Sequence, residues 1–123
     1  MKIPRLPFHN VLAELLYSLI IGGECIGYQD LYVNAPYSFS LTIPQGAVYA
    51  LIVCEADVLS ADKTKVVRFK QFDTMNNPPA STVGIPLGDL GVVEIKGKMN
   101  LANFQATGIR TGEYHLLRIE YYS

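Results

Sequence analysis

The sequence contains no tryptophan, only two histidines and two cysteines, and just 17% of its residues are charged. Each shortage narrows the chemistry. His9 and His115 are too few and too widely separated to set a multi-histidine metal site. Cys25 and Cys54 form no C-x-x-C pair. They read as free thiols packed like small hydrophobes, with a single disulfide left open by the sequence. No G-x-S-x-G run marks a serine-hydrolase elbow. No N-x-[ST] triplet marks a glycosylated, secreted chain. A net charge of −1 gives bulk electrostatics no preference for nucleic acid or an anionic membrane. No cofactor is expected.

The low charge also bears on assembly. Soluble domains average about 25% charged residues, whereas half of this chain is hydrophobic. A small domain buries only about two-thirds of its unfolded surface. Some apolar surface is therefore expected to be covered by copies of the same chain, as a homo-oligomer, or by a larger assembly.

What is present is organised around Gly46-Ala47-Val48-Tyr49-Ala50-Leu51-Ile52-Val53-Cys54-Glu55. The apolar run between Pro44-Gln45-Gly46 and Glu55-Ala56-Asp57 has strand length. Val48, Ala50, Ile52 and Cys54 fall on one face and Tyr49, Leu51 and Val53 on the other, so both faces need cover.

Residues 1–23 read as an arm with two prolines followed by an apolar helix. Phe8, Val11, Leu12, Leu15, Leu16 and Leu19 recur at helical spacing, with Asn10 as cap and Gly22-Gly23 as stop, while Tyr17, Ile20 and Ile21 make the later turns apolar nearly all round. Phe8, Leu12, Leu15, Leu16, Leu19 and Ile20 are the candidate assembly contacts, with packing on the same domain the competing reading. A signal peptide would explain Lys2 and Arg5, but Glu14 and Glu24 oppose it. The run from Val11 to Ile21 is short of the ~20 residues that span a bilayer.

From residue 24 the periodicity turns to alternation, and residues 24–123 read as one mainly β domain, an antiparallel sandwich or jelly roll. Leu31 and Val33, then Phe39, Leu41 and Ile43, mark strands. The short Pro44-Gln45-Gly46 connection predicts that residues 39–43 pair with the central strand. Lys65–Lys70 is a strand, Pro86 puts Val83–Leu87 at a sheet edge, and Val93 with Ile95 follows. Gly97-Lys98-Met99-Asn100 reads as a turn before a strand at Phe104 and Ala106. Last, His115, Leu117, Ile119 and Tyr121 face inward while Tyr114, Leu116, Arg118, Glu120 and Tyr122 face out. Short strands separated by Gly, Pro and Asn carry the fold class.

Candidate chemistry is sparse. Gly91-Val92-Val93-Glu94-Ile95-Lys96-Gly97-Lys98-Met99 superficially resembles a phosphate loop. It has one residue too many between its glycines, and Met99 stands where the Mg²⁺-binding Ser or Thr belongs. Hairpin glycines explain it better. His115 is in phase with apolar neighbours and reads as a hydrogen-bonded core or interface histidine. Asp57, Asp62 and Asp73 fit no Ca²⁺ loop. Lys65, Arg68 and Lys70, with Lys63, form the one basic cluster, and no aromatic-rich nucleic-acid motif accompanies it. Eight tyrosines suit strands, interfaces and, where exposed together, sugar stacking.

One further pattern runs through the domain. Leu41-Thr42-Ile43-Pro44-Gln45-Gly46-Ala47, Tyr49-Ala50-Leu51-Ile52, Glu55 and Val67-Arg68-Phe69 come first. Pro79-Ala80-Ser81-Thr82-Val83-Gly84-Ile85-Pro86-Leu87, Glu94-Ile95, Leu101-Ala102-Asn103-Phe104-Gln105-Ala106 and Tyr121-Tyr122 follow. In this order they resemble a family of small phage-encoded β proteins found among virion structural genes. The chain departs from it at Asp73-Thr74-Met75-Asn76-Asn77, where that family has Asp-Gly, and Met1–Pro36 has no counterpart. The resemblance implies a non-enzymatic capsid-associated, head-fibre or tail component. Such a protein works by self-assembly and docking with other virion proteins, in virions assembled in the host cytoplasm. No catalytic residue carries over. From a different class, the tyrosines leave open a carbohydrate- or receptor-binding module that uses Tyr-rich loops.

Overall fold

Alternation of apolar and polar side chains becomes eight strands in the computed structural model, which describes residues 23–123. They are β1 (Cys25–Val33), β2 (Ser38–Ser40), β3 (Tyr49–Glu55), β4 (Val67–Lys70), β5 (Ile85–Leu87), β6 (Val92–Lys96), β7 (Gln105–Gly108) and β8 (His115–Tyr122). One short helix, α1 (Lys98–Asn103), precedes β7. The strands form two antiparallel sheets in the orders β1-β8-β3-β6 and β2-β7-β4-β5.

That order has a simple origin. β1 pairs with β8, β2 with β7, β3 with β6 and β4 with β5, so the pairs nest like one long hairpin. Rolling that hairpin brings β3 against β8 and β4 against β7. The result is a sandwich with jelly-roll connectivity.

The core lies between the sheets. Ala50, Ile52 and Cys54 of β3 meet Leu117, Ile119 and Tyr121 of β8, all essentially without exposure. The second sheet contributes Val67, Phe69 and Ala106, and Phe104 stacks on Phe69 with ring centroids 5.7 Å apart. Leu51 and Val53, on the opposite face of β3, are only half-buried. Cys25 is exposed and Cys54 buried, both free. Loss of water pushes the Cys54 thiol up to about 12, so it packs as an uncharged apolar group. Pro86 sits on β5 at the edge of the second sheet, where its missing N–H costs least.

Two local expectations are corrected. The segment 39–43 does not pair with β3. Only Ser38–Ser40 is strand, and it pairs with β7 in the other sheet. The chain then crosses between sheets. Leu41 packs on the core, and Thr42 N donates to Gln29 Oε1 at 3.0 Å instead of to a β3 carbonyl. Residues 97–100 begin a helix instead of a turn. Gly97 enters at φ +97, and buried Leu101 anchors the coil. The Asn100 and Asn103 side chains donate to the carbonyls of Lys96 and Met99. The apolar segment carrying Phe8, Leu12, Leu15, Leu16, Leu19 and Ile20, with its predicted helix, lies outside the described residues. Among those residues, no helix is long and apolar enough to cross a membrane.

Candidate docking surface at one end of the roll

Jelly-roll connectivity gathers alternate loops at one end of the sandwich. Here these are residues 34–37, 56–66, 88–91 and 109–114, and each is tied to another. Asp57 accepts from Tyr114 N at 2.9 Å and Leu59 N at 3.0 Å. Asp89 accepts from Ala56 N at 2.9 Å, and its own N–H donates to Lys63 O at 2.8 Å. Gly108 lies so close to residues 34 and 35 that an added Cβ would stand 2.7 Å from Ala35 N. Gly88 is held equally close to Thr64 O. No larger residue fits at either place.

Beneath these loops is a buried polar knot. Glu113 accepts from Ser60 Oγ at 2.9 Å, Ala61 N at 3.1 Å and Arg110 Nε at 3.1 Å. Arg110 Nη2 donates to Ser60 Oγ and to the carbonyls of Asp62 and Lys65 at 3.1, 2.6 and 2.9 Å. Burial alone would raise the Glu113 pKa. The bonds from Ala61, Ser60 and Arg110 outweigh burial and hold the group below its usual value, as a carboxylate.

His115 is fully buried on the core face of β8. Its Nδ1 accepts from Asp57 N at 3.0 Å, which assigns the proton of the neutral ring to Nε2. Nε2 lies 3.2 Å from Glu113 Oε1 but outside hydrogen-bond geometry. Loss of water lowers the His115 pKa, although Glu113 and Asp57 pull the other way. Ser60, Glu113 and His115 are thus adjacent, yet they are not a nucleophile relay. The Ser60 hydroxyl gives its bond to Glu113 and not to the imidazole, and the ring meets no solvent. The chemistry of this knot is to fix loops.

The loops at this end, two of them joined by the knot, present apolar side chains. Val58 and Leu59 are each 83% exposed and Leu90 is 70% exposed, with Tyr37 and Tyr114 mostly exposed at the same end. Leu90 sits at φ +62, a left-handed conformation that disfavours a branched side chain. It is held there by Leu90 N donating to Cys54 O at 2.7 Å.

The structure splits the basic cluster: Lys63 and Lys65 lie on the loop 56–66 at this end, whereas Arg68 and Lys70 lie on β4. Arg68 and Lys70 do share one face of β4, but their charges are engaged. Arg68 donates to the carbonyls of Ser81 and Gly84, both at 2.9 Å, and Lys70 to Asn77 O at 2.7 Å. They tether residues 77–84 across the outer face of the second sheet. Lys65 is exposed on the loop 56–66, away from them. Beside the tether, Phe69, Phe72, Val83 and Ile85 line an apolar groove of about 320 Å³. Asp57, Asp62 and Asp73 each cap neighbouring N–H or O–H donors. Backbone bonds from Tyr114 and Leu59, chiefly, keep the Asp57 pKa low. The Gly91–Met99 run is β6, entered from the turn that Gly91 N closes on Gly88 O and followed at Gly97 by the start of α1.

No family model, curated protein or solved structure matches this chain.

The knot was only partly readable beforehand. Glu113 is in phase with His115, Leu117 and Ile119, which places a carboxylate on a core face and was the available signal for a buried acid. Ser60 lies 53 residues from Glu113 on another loop, so nothing near it announces the contact, whereas Arg110 stands three residues before Glu113 on the same loop.

Proposed function

We propose that this chain is a non-enzymatic structural subunit that works by self-assembly and docking, in keeping with the virion component that the resemblance across Leu41–Tyr122 implies. The observation that carries the reading is the loop end. Five large apolar or aromatic side chains stand exposed there, three of them, Val58, Leu59 and Tyr114, on the two loops joined by a buried, charged network. Rigid loops lose little entropy when a partner covers them, so apolar contacts there convert efficiently into affinity. Jelly rolls serve in viral capsids and in lectins alike, so the fold accommodates the reading without selecting it. The amino-terminal residues Phe8 to Ile20 are the second proposed contact.

The test is light scattering of the full chain over a range of concentrations, alone and with the structural proteins encoded beside it. Self-association or co-assembly that Leu59→Ser with Tyr114→Ser weakens at unchanged melting temperature is the expected result. A monodisperse monomer that engages none of those proteins overturns it.

A second reading, a carbohydrate- or receptor-binding module, is favoured by Tyr37 and Tyr114, which offer exposed rings at this same end. Micromolar or tighter binding on a glycan array, lost in Tyr114→Ser, would replace the first reading by the second.

A further inference from the structure

Four strands lie at sheet edges, and three of them carry devices that discourage pairing with another chain. β2 has three residues. β5 has three, with Pro86 in the middle. β6 has five and carries Glu94 and Lys96 on its exposed side. Short length, proline and charge are the ordinary protections of an edge. β1 has neither short length nor proline; its one charged residue is Asp30, and its register with β8 shifts between Cys25 and Gly27. It is the longest strand, with nine residues spanning about 30 Å. It contains no proline and no lysine. Its outward residues include Tyr28 and Tyr32, 57% and 62% exposed, and Ile26. Among the described residues its backbone ladder runs to β8 alone.

We infer that β1 is a self-recognition edge, which pairs antiparallel with β1 of a second copy to continue the first sheet across a two-fold axis. The inference rests on the self-assembly reading above and names the surface and the partner.

The residues select the register. Antiparallel pairing that keeps solvent faces together matches even-numbered residues with even-numbered ones. Centring the axis on Asp30 sets Asp30 against its own copy, an unfavourable like-charge pair. Centring it on Tyr28 leaves Tyr32 opposite Glu24. Centring it on Gln29 sets Tyr28 against Asp30 and Ile26 against Tyr32 of the second copy. In that register Ile26 meets the Tyr32 ring and each Asp30 meets a Tyr28 phenol. Within one chain Asp30 already accepts from Tyr28 and lies 3.4 Å from Arg118 Nη1, so its charge stays compensated at the joint.

The experiment is mass measurement of the full chain by light scattering, with two charge-pair variants at exposed positions. Ile26→Lys with Tyr32→Lys opposes lysine to lysine between copies and should weaken dimerisation at least tenfold. Ile26→Lys with Tyr32→Glu opposes unlike charges and should keep the dimer. Within one chain the two positions lie six residues apart on a strand, about 20 Å, so they interact only between copies. As a check independent of folding changes, oxidation of Ile26→Cys with Tyr32→Cys in a Cys25→Ser chain should give a covalent dimer. Its cross-link should join residue 26 of one copy to residue 32 of the other.

An oligomer that persists equally in both lysine variants, or a cross-link elsewhere, overturns the β1 pairing and leaves assembly through another surface standing. Equal loss in both variants overturns it as well. A monomeric native chain overturns both this inference and the self-assembly reading.

Discussion

The two ends of the roll are held by opposite means. At one end a buried carboxylate and a half-buried guanidinium join the loops 56–66 and 109–114 from below, through Glu113, Arg110, Ser60 and His115. At the other, Arg68 and Lys70 reach over the sheet surface and hold residues 77–84 by their carbonyls from above. A tether at the surface is worth little where water competes for the same groups. A buried knot loses far more when one member goes, because the others are left without partners. The first arrangement therefore gives a rigid end and the second a looser one, and the rigid end displays Val58, Leu59, Leu90 and Tyr114.

That contrast can be broken most sharply at Glu113. Glu113→Ala leaves Arg110 and Ser60 without their shared acceptor and should cost about 3–5 kcal/mol, read as a drop in the denaturation midpoint. Against a total stability of about 5–15 kcal/mol, part of the population would unfold. A loss no larger than that of an ordinary surface substitution would mean the knot is not what holds the loops.

Acid should act through the same residues. The folded Glu113 titrates below its ordinary 4.5, so its contribution is whole above that value and is lost as pH falls through the lower folded value. The folded His115 titrates below its ordinary 6.5. Below 6.5 the unfolded chain takes up a proton that the folded one refuses, so stability again falls with pH. Denaturation midpoints measured from neutral pH downward should decline from about 6.5. His115→Asn, which keeps an acceptor for Asp57 N, should flatten the upper part of that decline. An unchanged profile in this variant would remove His115 from the account.

Arg68→Ala tests the looser end. It should cost about 1–2 kcal/mol and speed amide exchange in residues 77–84, while residues 57–65 stay protected. Equal loosening at both ends would erase the distinction. The smallest stability effect belongs to Leu59→Ser with Tyr114→Ser. A shift within about 0.5 kcal/mol is expected for exposed side chains, and a larger one would mean these residues pack instead of waiting for a partner.

Much of this was legible in the sequence, for a physical reason. β3 is read correctly because an apolar run of strand length stands between turn residues, and β8 because a strand with one buried face writes its period of two into local sequence. His115 was placed by the same rule. The crossing after β2 was not legible, since Pro44-Gln45-Gly46 has the residues of a hairpin turn. Only the distant partner β7 shows that the preceding strand belongs to the other sheet. The knot was hidden for a similar reason. Ser60, Arg110 and Glu113 meet only once the roll has closed, and the loop end they support carries no pattern of its own.

The placement of β8 has a consequence for the order of events during synthesis. The last strand to be made is an inner strand, flanked by β1 and β3 on its two sides. Until it arrives, the first sheet exists only as separated pieces. Val33, Ala50 and Ile52, without exposure in the finished fold, then have no cover from this side. Nested pairing makes the outermost closure the one with the longest loop, and such topologies fold slowly. The chain must therefore keep its stickiest strand surfaces apart from those of its siblings until β8 has been made.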